Sequence, residues 1–178
     1  MNYTILDAYN VLFSKKTFGP SMQLGHHAAS EYLLQWVVPL IFLANHSIIA
    51  VFDGGSLNAK CHCYAHGKHP NFIIVQTKNG CSADEKILEI IQKIRSKQLK
   101  DEVEVITNDG GLRTAANHEG ATVLSVENFF QKVQHVTQQQ RDALRHHRRK
   151  NEKRWSNFFE EIWGENFPKN PSNEKWSR

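Results

Sequence analysis

The chain has 178 residues, of which 40% are hydrophobic and 22% are charged, which is the composition of a globular domain with a substantial core. Three cysteines exclude a disulfide framework and fit a reducing environment. The formal charge of +4 is unevenly spread, because residues 131–178 carry 11 Lys and Arg against 6 Asp and Glu, whereas residues 1–130 carry 11 against 12. The basic C-terminal part therefore suggests an arm for a polyanion.

Membrane insertion and secretion are not expected for this sequence. The most apolar run, residues 36–44, is too short to span a bilayer. The first strand is predicted to begin at Tyr3, which leaves no room for a signal or transit peptide. We therefore expect a cytoplasmic protein with no membrane partner.

The hydrophobic runs alternate between strand-like and helix-like segments. Strands are predicted at 3–6, 47–52, 72–75, 103–107 and 121–124, and helices at 28–43, 83–95 and 112–118. The strands lack a period of two, which indicates that both of their faces are buried, as in a parallel sheet flanked by helices. The sequence therefore predicts an α/β fold, a three-layer sandwich with a mainly parallel central sheet.

From Val126 the pattern is helical again and becomes strongly basic. Four arginines fall on one helix face at i, i+4, i+7 and i+8, namely Arg141, Arg145, Arg148 and Arg149. The pattern predicts a body over residues 1–133, a basic helical extension over 134–164 that stops at Gly164, and a polar tail over 165–178. The basic face is typical of contact with nucleic acid or a ribosome, although a solvated helix surface is the alternative.

Four aspartates occupy equivalent positions in the predicted elements. Asp7, Asp53 and Asp109 each follow a strand, and Asp84 lies in the first turn of the helix opened by Ser82. In an open parallel sheet, strand carboxyl ends and helix amino ends share one edge, where ligands bind. Because four converging carboxylates repel one another, they usually imply a bound divalent cation. The pattern indicates a metal-dependent phosphodiesterase site.

Short motifs surround these aspartates in a fixed order. They are D-A-Y-N at 7–10, F-D at 52–53, T-K at 77–78 with S-A-D-E at 82–85, and T-N-D at 107–109. Their order and context resemble the YacP-like NYN-domain ribonucleases, a PIN-like family. The resemblance covers roughly residues 3–130, and it implies a PIN-like Rossmannoid fold and an endoribonuclease that depends on Mg²⁺ or Mn²⁺. Two positions depart from the family pattern: Ala8 replaces a glycine, and Cys81 stands where relatives often carry a glutamate.

Further residues are candidates for supporting roles. Asn10 and Asn108 could orient a carboxylate or bond a phosphate oxygen, and Ser82 could hold Asp84 in position at the helix cap. A metal-activated water would cut RNA to leave a 5′-phosphate and a 3′-hydroxyl, and no small-molecule cofactor is expected. Plausible phosphate contacts near this edge are Lys15, Lys16, Lys78 and Arg113.

Competing interpretations remain for several features. A receiver-like phosphoacceptor domain would need an acidic pair after the first strand, and a dehalogenase-type phosphatase would need D-x-D where position 9 is Tyr. An inactive RNA-binding protein of the same fold is the main alternative. Asp109 precedes two glycines and could be a simple turn residue. A zinc site is possible within C-x-C-x₂-H-x₂-H (Cys61, Cys63, His66 and His69), but a solvated His-rich loop is favoured.

Overall fold

The structure is a computed structural model, and it describes residues 1–14, 25–54, 62–66, 69–78, 80–97 and 100–163. Two compact units are present, one comprising Met1–Thr137 and a second beginning at Gln138. The domain boundaries at 133/134 and 164/165 remain predictions. None of the helices in the described ranges combines the length and the apolar character needed to cross a bilayer.

Six strands and five helices are assigned in the described residues. The strands are β1 (Asn2–Asp7), β2 (His46–Phe52), β3 (His62–His66), β4 (His69–Gln76), β5 (Glu102–Ile106) and β6 (Thr122–Leu124). The helices are α1 (Ala8–Phe13), α2 (Gly25–Ile41), α3 (Ala83–Lys97), α4 (Gly110–His118) and α5 (Val126–Trp163).

The strands form one sheet in the order β3-β4-β2-β1-β5-β6. All neighbouring pairs are parallel except the edge pair β3 and β4. The chain builds outward from β1 on one side through β2 and β4, and then crosses to the other side of β1 to form β5. This change of direction puts a topological switch point at the carboxyl end of β1, where open α/β sheets bind their ligands.

Two apolar cores lie on the two faces of the sheet. One face packs against α1, α2 and the beginning of α5, through residues such as Leu33, Phe72 and Phe129. The other face packs against α3 and α4, through residues such as Ile87 and Leu112. Since the central strand β2 is buried along its whole length, both faces of the sheet are covered. The predicted three-layer α/β sandwich is confirmed.

The segment after β2 differs from the expectation of a loop. Residues 62–66 form the strand β3, which pairs antiparallel with β4, with Cys63 opposite Val75. The prediction of a solvated loop was therefore wrong for this stretch. β4 begins at His69, before the predicted start at Phe72, and β3 adds to its edge mainly along residues 73–76. Of the zinc candidates, Cys61 lies outside the described residues, and only the backbone of Cys63 and His66 is described.

Candidate active site

The carboxyl edge of the sheet holds an open pocket of about 610 Å³. It lies where β1, β2 and β5 end and where α1, α3 and α4 begin. All four aspartates singled out in the sequence line this pocket, together with both asparagines. The lining residues are Asp7, Tyr9, Asn10, Phe13, Ser14, Asp53, Ala83, Asp84, Asn108 and Asp109. The structure thus brings together groups that lie up to 102 positions apart in the chain.

Asp7 is the most firmly held of the four carboxylates. It ends β1 and caps α1, and its Oδ1 accepts a hydrogen bond from the backbone nitrogen of Asn10 at 3.3 Å. Its Oδ2 accepts from the hydroxyl of Thr107 at 3.0 Å. The residue is only 8% exposed. An acidic N-cap at the amino end of a helix is favourable, so the local sequence fixes Asp7 at the centre of the switch point.

Two buried threonines connect the aspartates across neighbouring strands. Thr107, which directly follows β5, donates to Asp7 and accepts from the backbone nitrogen of Asp109 at 3.0 Å. Thr77, which directly follows β4, donates to Asp53 Oδ1 at 3.2 Å and accepts from the Gly54 nitrogen at 3.1 Å. The exposed fractions of Thr107 and Thr77 are 0% and 1%. Each hydroxyl therefore fixes the backbone at a strand end as well as a carboxylate.

Asp109 and Asp84 are placed by helix starts. Asp109 caps α4, and its Oδ1 accepts from the Leu112 nitrogen at 2.8 Å. Ser82 and Glu85 form the capping box that the sequence predicts at the start of α3, with side chain to backbone bonds of 3.1 and 3.2 Å. The capping box fixes the first turn, which carries Asp84. Ser82 thus acts on Asp84 through the helix backbone.

The two asparagines join three elements around the pocket. Asn10 on α1 accepts a hydrogen bond from the backbone nitrogen of Asn108 through its Oδ1, at 2.9 Å. Asn108 in turn accepts from the Val126 nitrogen through its own Oδ1 at 3.0 Å, and donates through Nδ2 to Glu127 at 3.3 Å. These bonds tie α1 and the end of β5 to the first turn of α5. The asparagines therefore position the pocket wall.

Burial and mutual repulsion raise the free energy of the ionised carboxylates. Burial raises the pKa of Asp7, and the negative charges of Asp84 and Asp109 raise it further against the opposing hydrogen bonds from Asn10 and Thr107. The pKa of Asp84 is also raised, first by partial burial and then by the charges of Asp109, Asp53 and Glu85. Within the described ranges, no lysine or arginine forms an ion pair with any of the four aspartates. The excess negative charge thus favours an added cation.

The donor set of the pocket fits a hard divalent cation. Carboxylate oxygens are the ligands that Mg²⁺ and Mn²⁺ prefer. In the part of the chain that the structure describes, no group of three or more His, Cys, Asp or Glu side chains is already arranged to hold a metal ion. Asp53, Asp84 and Asp109 are exposed, so an ion could reach their carboxylates from solvent. The residues therefore match a metal in chemistry but not in preformed geometry.

The cationic candidates are spread more widely than the acidic ones. Lys78 lines a second pocket of about 350 Å³ that includes Asp53 from the acidic edge and Ser82 from the start of α3. Arg113 is exposed on α4 and is not among the residues that line either pocket. Lys15 and Lys16 lie outside the described residues. The four arginines of the basic face are exposed on α5 within the second unit.

Several residues of the site were not predicted from the sequence: the pocket residues Tyr9, Phe13, Ser14 and Ala83, and the two threonines behind the carboxylates. Thr77 and Thr107 belong to the T-K and T-N-D motifs, and a threonine directly after a buried strand is a usable signal for such contacts. Tyr9 belongs to the D-A-Y-N motif. Phe13 lies three residues after Asn10, a spacing that puts both on one helix face. That spacing could have indicated a pocket residue.

Replacing Thr107 by valine is expected to destabilise the protein by about 1–3 kcal/mol, since the partly buried Asp109 nitrogen and an oxygen of the buried Asp7 each lose a partner. Denaturant unfolding of the purified variant measures this change. Thr122→Val on β6, where the side chain is exposed, is the matched control and is expected to change stability by less than about 0.5 kcal/mol. Equal stabilities for the two variants would show that the Thr107 bonds contribute nothing.

The mainly parallel sheet and the acidic pocket at its switch point define an α/β domain with a candidate ligand site at the carboxyl edge of the sheet. A family model described as the YacP-like NYN domain matches residues 4–167, and the chain belongs to this family. The family is one of ribonucleases, which supports a nuclease-type function with RNA as the substrate. No curated protein matches the chain.

Solved structures agree with the family assignment. The crystal structure of a mutant of Rae1 (YacP) from Bacillus subtilis is similar with a TM-score of 0.63 and 18% identity, over 80% of each chain. The crystal structure of Rae1 (YacP) from Bacillus subtilis is similar with a TM-score of 0.60 and 18% identity, over 91% of this chain and 90% of that one. At this level of identity the likeness shows a shared fold.

Proposed function

We propose that this protein is a metal-dependent endoribonuclease that hydrolyses RNA phosphodiester bonds. The observation that carries the proposal is the convergence of four aspartates, from three strand ends and one helix start, on one open pocket without an ion-paired Lys or Arg in the described ranges. Family membership supports the nuclease class. The charge excess in the pocket supports Mg²⁺ or Mn²⁺ as the cofactor.

The four carboxylates differ in burial, since Asp7 is buried whereas Asp53, Asp84 and Asp109 are exposed. Asp7, held by Asn10 and Thr107, would provide the fixed contact. Asp53, Asp84 and Asp109 would complete the coordination directly or through waters, since Mg²⁺ retains several waters in protein sites. A bound ion lowers the pKa of a water and neutralises phosphate charge. Hydrolysis would then leave a 5′-phosphate and a 3′-hydroxyl.

Binding of RNA would use positive charge away from the carboxylates. Lys78 lies beside the acidic edge, and the arginine face of α5 would contact the RNA backbone or the ribosome. A cytoplasmic location is consistent with such a substrate. We propose RNA as the substrate, the ribosome as a further partner, and no small-molecule cofactor.

Removal of metal is expected to stop cleavage completely and reversibly. Purified protein with a labelled single-stranded RNA should yield products in Mg²⁺ or Mn²⁺, none in EDTA, and products again when metal is restored. The end groups should be a 5′-phosphate and a 3′-hydroxyl, readable by labelling of the products. Cleavage that persists in EDTA, or that leaves a cyclic phosphate, would contradict the metal-dependent mechanism.

The assignment of the site is tested by carboxylate variants at the two ends of the sheet. Asp84→Asn is expected to lower the cleavage rate by at least about 10-fold. This is the lower end of the range, about 10- to 100-fold, for changes to groups that surround a metal site. Glu102→Gln removes an exposed carboxylate at the opposite end of β5 and is the control, with an expected rate equal to wild type. Equal rates for both variants would contradict the role of Asp84.

A catalytically inactive RNA-binding protein of the same fold is the second candidate. One observation favours it: no preformed metal group is present among the described side chains. This candidate predicts that the wild type binds RNA with salt-dependent affinity but releases no products with any divalent metal. The metal assay above therefore separates the two candidates.

A further inference from the structure

An exposed aromatic side chain at the rim of the pocket has no role in the chemistry described above. Phe13 is the last residue of α1, lines the same pocket as the four aspartates, and is 69% exposed. A phenylalanine ring this exposed contributes little to the core of the fold. Because Phe13 lies beside a site for a polyanionic chain, its ring is available to contact an apolar surface of that chain.

The pocket residues of α1 lie on one face of the helix. Asp7 caps α1, and Asn10 and Phe13 follow at intervals of three residues, which places all three on one face of the helix. The rise of a helix puts Phe13 about 9 Å beyond Asp7 along the axis. A nucleotide whose phosphate lies at the carboxylates, or its immediate neighbour, can therefore reach the ring.

Two further aromatic rings, of the partly buried Tyr9 and the buried Phe52, lie behind the exposed one. The Tyr9 ring lies 6.0 Å from that of Phe13 at an angle of 34°, and 5.6 Å from that of Phe52 at 89°. Both separations lie in the favourable range for aromatic pairs, about 4.5–7 Å. Since Phe52 is only 1% exposed, the series runs from the core to the surface. Phe13 is thus a supported flat surface.

We propose that Phe13 is a stacking platform for an unpaired base of the RNA substrate, and that it makes the site selective for single-stranded RNA. The inference rests on the proposed function, because it assigns the substrate class of the same site. Every base has a π-face, so such a platform tolerates any sequence. A base inside a duplex is covered on both sides and cannot offer that face, whereas a single strand can.

The test compares two phenylalanines of equal exposure. Phe13→Ala is expected to lower kcat/KM on single-stranded RNA by about 5- to 140-fold, the range for the loss of one base–aromatic stack, mainly through a higher KM. Phe13→Trp should retain wild-type kcat/KM. Phe42→Ala, also 69% exposed but located before β2 at the opposite edge of the sheet, is the control and should match wild type. Melting temperatures should be the same for all four proteins.

A scan with abasic nucleotides identifies the stacked base. One abasic position near the cut should lower wild-type kcat/KM by the same factor as Phe13→Ala, and should cost nothing further in the Phe13→Ala protein. RNA paired throughout should be cut slowly, at a rate that Phe13→Ala does not change. Wild-type cleavage with equal kcat/KM for Phe13→Ala and Phe42→Ala overturns the platform and leaves the nuclease proposal standing. Absence of wild-type cleavage in any divalent metal overturns both.

Discussion

Replacing Asp7 by asparagine is expected to lower the rate of RNA cleavage by at least about 100-fold and, at the same time, to raise the stability of the fold. Cleavage falls because the amide lacks the charge that the fixed carboxylate would offer to a cation. Stability rises because the substitution removes a buried charge close to two others, while Asn remains a good N-cap for α1. Stabilising changes of this kind commonly amount to about 0.5–2 kcal/mol.

The pH dependence of the stability of Asp7→Asn shows whether its effect comes from the charge of residue 7 or from the shape of the side chain. Burial raises the folded-state pKa of Asp7 above its value in the unfolded chain. The unfolded state therefore releases this proton first, and the fold loses stability as the pH rises from the unfolded pKa through the folded one. The stability gained by Asp7→Asn should be largest at neutral pH and should disappear below about pH 4, near the unfolded pKa.

Urea unfolding of both proteins between about pH 3 and 7, in EDTA so that bound metal does not contribute, measures this difference. Asp101→Asn is a useful reference, because Asp101 is also buried but forms an ion pair with the amino terminus of Met1 at 2.7 Å. Removal of that charge should destabilise the fold. If Asp7→Asn is less stable than wild type at neutral pH, the carboxylate is serving mainly as a structural cap.

The acidic edge could be predicted from the sequence because a parallel sheet imposes it. Once the apolar runs ending at Leu6, Phe52 and Ile106 are taken as buried parallel strands, the residues that follow them must share one edge. The capping box at Ser82 then adds Asp84 to the same edge, because helix amino ends lie there as well. No knowledge of strand order is needed for this step.

The contacts within the site could not be predicted, because they depend on which strands are neighbours. Thr107 bonds Asp7 only because β5 lies beside β1, and Thr77 bonds Asp53 only because β4 lies beside β2. The strand β3 was missed for a related reason, since it is defined by its antiparallel pairing with β4, mainly along residues 73–76. Hydrophobic periodicity gives strands but not their order.

Replacing the four arginines of the α5 face, Arg141, Arg145, Arg148 and Arg149, by glutamine is expected to weaken RNA binding at 0.1 M salt by on the order of 10²-fold. All four side chains are exposed, and their spacing on an observed helix places them on one face. The slope of log affinity against log salt should fall by about 0.7 for each arginine that contacts a phosphate of a single strand.

Two double variants that each remove two positive charges show whether weaker RNA binding comes from losing the α5 face or only from the lower net charge. Arg141→Gln with Arg145→Gln removes two charges from the α5 face, and Lys97→Gln with Lys100→Gln removes two exposed charges at the edge of the sheet opposite the acidic pocket. Only the arginine pair should lower the salt slope, because counterion release follows direct phosphate contacts and not the total charge of the protein. Equal slopes for the two pairs would mean that the basic face is an ordinary solvated helix surface.

The arginine double variant is expected to retain metal-dependent cleavage of a short RNA, with a higher KM and an unchanged kcat. This result would place RNA binding and RNA cleavage in separate segments of the chain.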